Sequence, residues 1–277
     1  MARINLARGG AWLVPAVVVV LLATVAVGAE RQRKLKAGLY NPKDATVEMF
    51  SAIDAGDIEV KLIPKDSTET RVLITNKTDR PLNVKLPDAF AGVPVLAQIG
   101  GLAGGGVGGG GGRRGQGGGG GSQGFGGGMG GMGMGGMGGM GMGGMMNVKP
   151  EKVGNLKAPT VCLEHGKHDP RPEVAYAIKP IDQFTDKGEI RELCTMLGQG
   201  RLNQRAAQAA AWHFSDGMSW QELAAKQLRF ANGTSQPYFS PAEIQAAMQI
   251  ASSAVALAKE RQKATKTDKP DSMSNQP

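Results

Sequence analysis

The chain has 277 residues, 41% of them apolar and 5% aromatic, with 43 glycines, 14 methionines, 2 cysteines and 3 histidines. That supply fits one or two compact domains plus low-complexity segments, and it is thin in the groups that turnover chemistry uses. The formal charge of +8 is spread along the sequence, with part of the excess on Arg3, Arg8, Arg113 and Arg114, so no concentrated basic face for nucleic acid is present.

Residues 1–29 have the layout of a secretory signal peptide: Arg3 and Arg8, an uncharged run from Ala11 to Val27, then the small residues Gly28 and Ala29 before Glu30. A retained single-pass anchor is the alternative, at the short edge of a span and with the basic segment 30–43 directly behind it. Either way the rest of the chain is expected to be exported: secreted, periplasmic or at the cell surface. It meets a membrane only if the leader is kept.

Residues 44–99 read as a helix and the first part of a small antiparallel β-sandwich. Val47, Phe50 and Ile53 recur at helical steps behind Asp44 as a cap. Ile58, Val60 and Leu62, the run 71–76, and Leu82, Val84 and Leu86 then read as half-buried strands, with a turn between Asn76 and Pro81. Residues 93–97 and 158–163 complete the sandwich. Residues 100–147 hold most of the glycines and more than half of the methionines, a composition expected to form a disordered Gly/Met-rich insertion between neighbouring strands. Residues 148–181 carry the last strands.

Over 182–263 the period becomes helical, giving about four helices. Asp186 and Glu189 can form a capping box ahead of Ile190, Leu193, Cys194 and Leu197; a second helix runs from about Leu202 to Phe214 and ends near Gly217. Ser219 with Glu222, and Ser240 with Pro241 and Glu243, start the third and fourth. Residues 264–277 are expected to fray. The fold class is therefore α+β, a β-sandwich with a long insertion followed by a helical region.

Three constellations could carry chemistry. Cys162, His165 and His168 place a thiol and two imidazoles within seven residues, ligands that zinc or copper accepts, with Glu164, Asp169 or His213 as a possible fourth; exposed loop histidines are the plainer reading. The methionines between Met129 and Met142 offer soft thioethers to Cu(I), or form a spacer with the glycines. Gln208 lies one turn before Trp212 on a helix of small residues that lets a neighbouring backbone approach. Trp212 and Trp220 read as core anchors.

The run from Gln208 through Trp212, Phe214 and Asp216 to Gly217 resembles the Thr-Gln-x-Ala-Ile-Trp-x-Phe-x-Asp-Gly segment of thioester domains in bacterial surface adhesins, with Ala207 standing in the threonine position. That resemblance implies an internal thioester between Cys162 and Gln208, able to acylate a host amine. The stretches 161–167 and 205–220 also resemble blocks of uncharacterised exported proteins from planctomycete-type bacteria, a family that brings no activity with it. Cys162 thus has three possible fates: a buried free thiol, a disulfide with Cys194, or the thioester. No nucleotide loop, nucleophile triad or zinc-protease pair is visible. The expectation is a non-enzymatic cell-surface or envelope protein that needs no cofactor and binds an unidentified surface protein or envelope component. A covalent adhesin and an envelope metal-binding protein are the alternatives.

Overall fold

The alternation at 58–62 gives antiparallel strands, and a closed barrel stands where two facing sheets were expected. The computed structural model describes residues 40–95, 121–130 and 144–267. The expected leader 1–29, the segment 30–39, residues 96–99 with the end of the expected strand 93–97, most of the insertion and residues 268–277 lie outside the described residues.

The strands are β1 (Ala45–Glu48), β2 (Ile58–Pro64), β3 (Glu69–Asn76), β4 (Leu82–Lys85), β5 (Phe90–Pro94), β6 (Phe125–Gly127), β7 (Met145–Val148), β8 (Val153–Cys162), β9 (Tyr176–Pro180), β10 (Gln227–Arg229) and β11 (Ser235–Pro237). The barrel order is β2-β3-β8-β6-β5-β9, with every neighbour antiparallel, and the pair Leu62–Tyr176 closes the ring. Leu62, Val72, Ile74, Phe90, Phe125, Ala158 and Tyr176 fill the bore, as the narrow interior of a small barrel requires. A second sheet, β1-β4-β7, lies beside it, with β1 parallel to β4.

The α+β class holds and the sandwich does not, because two strands without a strong sequence signal complete the ring. One of them, β6, lies inside the segment expected to be disordered. Residues 121–130 are ordered, and Phe125, Gly126, Gly127 and Met129 are buried; residues 144–147 are ordered as well, and most of them belong to β7. Here glycine serves close approach. The Phe125 ring covers Gly92, its cross-strand partner, where a Cβ would lie 2.3 Å from the ring. At Gly126 a Cβ would lie 2.6 Å from Cys194 Sγ.

The helices are α1 (Met49–Asp54), α2 (Gly188–Gly198), α3 (Gln204–Asp216), α4 (Trp220–Ala225) and α5 (Pro241–Thr267). Residues 45–48, expected to be helical, form β1, and Glu48 caps α1 in place of Asp44, accepting from the Ser51 N–H at 2.8 Å. The Asp186–Glu189 box does not form: Lys187 is the N-cap of α2 and makes no side-chain cap. Asn203 caps α3, and Gly217, at φ 70°, stops it in the left-handed conformation that glycine adopts without strain. The Ser219–Glu222 and Ser240–Glu243 boxes are both made. Helix α5 runs to Thr267, so residues 264–267 are helical where fraying was expected.

A second core lies between the barrel wall and the helices, where Ala91, Val161, Leu163 and Ile181 meet α2, α3 and α5. Every residue from Ala206 to Trp212 is buried, so α3 is the central helix and its alanines let its neighbours close in. Glu192 of α2, 4% exposed, is neutralised by Arg261 of α5 at 2.5 Å, which fixes the outer half of α5.

A side chain at Gly126 has nowhere to go. Gly126→Val is expected to lower the unfolding free energy by about 1–3 kcal/mol. Gly121→Ala, where nothing lies within 4 Å of the new carbon, should change it by less than about 0.5 kcal/mol. Urea titration of both variants measures the difference.

Candidate functional site

Strand β8 outruns its neighbour. The last ladder bond to the β3 side is Thr160 N–H to Thr68 O, 2.9 Å, while on the other side Leu163 N–H donates to Gly124 O at 3.1 Å. By antiparallel alternation the N–H and C=O of Cys162 then point away from β6, past the end of β3, into a buried place with no strand to pair them.

Helix α3 supplies the partners. Gln208 Oε1 accepts from Cys162 N–H at 2.8 Å, and Gln208 Nε2 donates to Cys162 O at 2.9 Å. One turn earlier, Gln204 Nε2 donates to Thr160 O. Two carboxamides at i and i+4 thus continue the β8 ladder, a primary amide having the same donor and acceptor as a peptide unit. Gln208 is 7% exposed and needs both bonds.

The sequence pair Cys162–Gln208 is therefore brought together, through the cysteine backbone. The Cys162 thiol is buried, and burial pushes its pKa well above the ordinary thiol range, with Asp169 and Asp66 adding to the rise. The Cys194 thiol is pushed up to about 12 by burial alone. Both cysteines are free, so the disulfide fate is not the one the structure takes.

Cys162, His165 and His168 do not converge, and among the described residues no group of three His, Cys, Asp or Glu side chains is placed to hold a metal. His168 is exposed and acts through its backbone, donating to Gly121 O at 3.2 Å and accepting from Gln123 N–H at 3.0 Å. Glu164 Oε2 accepts from Gly124 N–H at 2.7 Å, and Asp169 Oδ1 accepts from Gln123 Nε2 at 2.8 Å. Tyr176 Oη donates to Gln123 O at 3.0 Å. The run 163–169 therefore grips residues 121–124 and seats β6 in the barrel. Gln123, 1% exposed, is the centre of that grip, and the sequence reading passed over it inside a glycine tract. His213 faces elsewhere, with Nδ1 donating to Met218 O at 2.7 Å while its ring stacks on Trp220. Met129 is fully buried in the core shared by the barrel and the β1-β4-β7 sheet; the methionines from Met132 to Met142 lie outside the described residues.

His165 lies edge-on to Trp212 at 4.8 Å, and Lys226 Nζ is 2.8 Å from its Nε2. The same ammonium sits 5.3 Å from the Trp212 ring centroid and 5.2 Å from that of Tyr238. Burial lowers the His165 pKa and the Lys226 charge lowers it further, outweighing Asp216. His165 is thus neutral and accepts from Lys226.

No protein-family model, characterised protein or solved structure matches the chain.

Gln208→Leu leaves the Cys162 N–H and C=O buried without partners, and its unfolding free energy should fall by about 2–4 kcal/mol, measured by urea denaturation. For His165, the folded value lies below the ordinary 6.5, so its contribution to stability is complete above that value. It is lost as pH falls toward the folded value, because the unfolded chain binds a proton that the folded chain refuses. The drop in urea midpoint between about pH 7 and about pH 5 should be smaller in His165→Gln than in the parent.

Proposed function

We infer that this chain is an exported, non-enzymatic interaction or structural protein of the cell envelope or surface, whose partner is a surface protein or envelope component. The reading rests first on what the polar side chains are used for. At the place richest in candidate chemistry, Gln204 and Gln208 join a helix to a strand end, while Gln123, Glu164 and Asp169 hold β6 in place. The bore is filled. A groove of about 260 Å³ beside Glu48, Lys85, Asp88 and Arg191 is lined by no cysteine, serine or histidine.

The glycine-rich segments fit the same reading. Gly130 and Gly144, the described residues on either side of 131–143, lie against each other: a Cβ at Gly144 would be 3.4 Å from Gly130 O. Residues 96–120 likewise run between β5 and the seated segment 121–130. Such tracts attached at both ends suit display or spacing. Export is read from the composition of residues 1–29. Among the described residues no helix is long and apolar enough to cross a membrane.

One observation favours a second reading, the covalent adhesin. The Gln208 carboxamide lies on Cys162 with its oxygen held by an N–H, which polarises the carbonyl carbon. In thioester formation Sγ would bond to Gln208 Cδ, the Cδ–Nε2 bond would break, and ammonia would leave with the thiol proton. The raised thiol pKa opposes that step, because the thiolate is the nucleophile.

Intact mass before and after methylamine, with peptide mapping, separates the two. The non-enzymatic reading predicts an unmodified Cys162–Gln208 pair, with both cysteines alkylated once the protein is unfolded. A deficit of one ammonia mapped to that pair, reversed by amine addition, would establish the thioester in its place.

A further inference from the structure

Between α4 and α5 the chain makes a hairpin that the sequence reading did not anticipate. Strands β10 and β11 pair from Gln227–Pro237 to Arg229–Ser235, and residues 229–237 are exposed. At its tip Phe230 N–H donates to Thr234 O at 2.9 Å, and Gly233 N–H donates to Phe230 O at 3.0 Å. Gly233 has φ 82°, and nothing lies within 4 Å of the place a Cβ would take. Asn232 is the only asparagine in the sequence that is followed by glycine.

We propose that Asn232 is a built-in site of spontaneous backbone modification, converting to aspartate and isoaspartate in the folded protein. The electrophile is already polarised: Asn232 Oδ1 accepts from Thr234 Oγ1 at 2.7 Å and from Thr234 N–H at 3.1 Å. Those donors point at the oxygen that gains charge when the carbonyl carbon is attacked. The nucleophile is the backbone nitrogen of Gly233, which carries no side chain to hinder its approach. Its bond to Phe230 O must open first, and the tip of an isolated two-stranded hairpin opens readily.

The Gly233 nitrogen bonds to Asn232 Cγ and loses its proton, the Cγ–Nδ2 bond breaks, and ammonia leaves. Water then opens the five-membered imide at either carbonyl. One opening restores the normal backbone as aspartate; the other inserts a methylene into it as isoaspartate. Both place a new carboxylate two residues from Phe230, whose side chain is one of four large apolar groups exposed among the described residues.

The protein contains its own control. Asn76 makes the same oxygen contacts, accepting from Thr78 N–H and Oγ1, each at 2.8 Å. Its Nδ2, however, donates to Arg80 O at 2.8 Å and Val148 O at 2.9 Å, it is 1% exposed, and Lys77 follows it. Its leaving group is held, water is excluded, and the next nitrogen carries a full side chain.

Incubation of the full chain at mildly alkaline pH, followed by peptide mapping that resolves aspartate from isoaspartate, tests the assignment. Asn232 should convert at least about tenfold faster than Asn76, the factor that 1.36 kcal/mol of barrier gives. Equal rates at the two sites, or an intact Asn232 after all other labile amides have reacted, would overturn the proposal. Thr234→Val, at an exposed position that leaves the cores untouched, removes the Oγ1 donor and should slow conversion by up to about tenfold. An unchanged rate would remove Thr234 from it.

Discussion

A strand that runs past its neighbour leaves backbone groups that must find partners or water, and in this fold the end of β8 is such a place. It is buried, so water is excluded, and the partners come from two glutamines on a helix. That requirement fixes the rotation of α3 and its distance from the barrel. The alanines around Gln208 follow from it, since a helix held this close to a strand can carry only small residues where they meet. Helices α2 and α5 then pack on α3, and the Glu192–Arg261 pair fastens the middle of α2 to the outer half of α5.

The other side of β8 sets the role of the glycine segment. Closing the barrel needs a strand between β8 and β5 that is thin enough to lie under α2, and Phe-Gly-Gly meets both demands: one aromatic ring for the bore and no side chain toward Cys194. A three-residue strand is too short to hold itself there. Glu164, His168, Asp169 and Tyr176 hold the residues just before it through Gln123 and Gly124. Polar residues that look like catalytic or ligating groups in the sequence are in this way used for assembly.

The helices were legible where their signals are local. Ser219 with Glu222 and Ser240 with Glu243 meet their partners within one turn, and Gly217 ends α3 by its own conformation. Asp186 with Glu189 has the same spelling, but α2 begins at Gly188 without that box. The alternation of β2 was legible as well. The closed barrel was not, because its closure depends on β6, which has no period, and on pairing between residues as distant as Leu62 and Tyr176. The sequence singled out Cys162 and Gln208 and could not say that the glutamine binds the backbone of the cysteine. Gln123 and Phe125 had one available signal, a polar and an aromatic residue interrupting a glycine tract, and low composition hid it.

The central claim is that residues inside a glycine-rich tract form a permanent barrel strand against a β8 whose free end is completed by Gln208. Native-state hydrogen exchange at the backbone amides of Gly126 and Cys162 tests it most directly. The account predicts protection at both comparable to that of Val72 and Ile74 in β3, with all four lost together on global unfolding. Exchange at Gly126 at the rate of an unfolded chain, with β3 still protected, would show that the tract does not complete the barrel and would contradict the account.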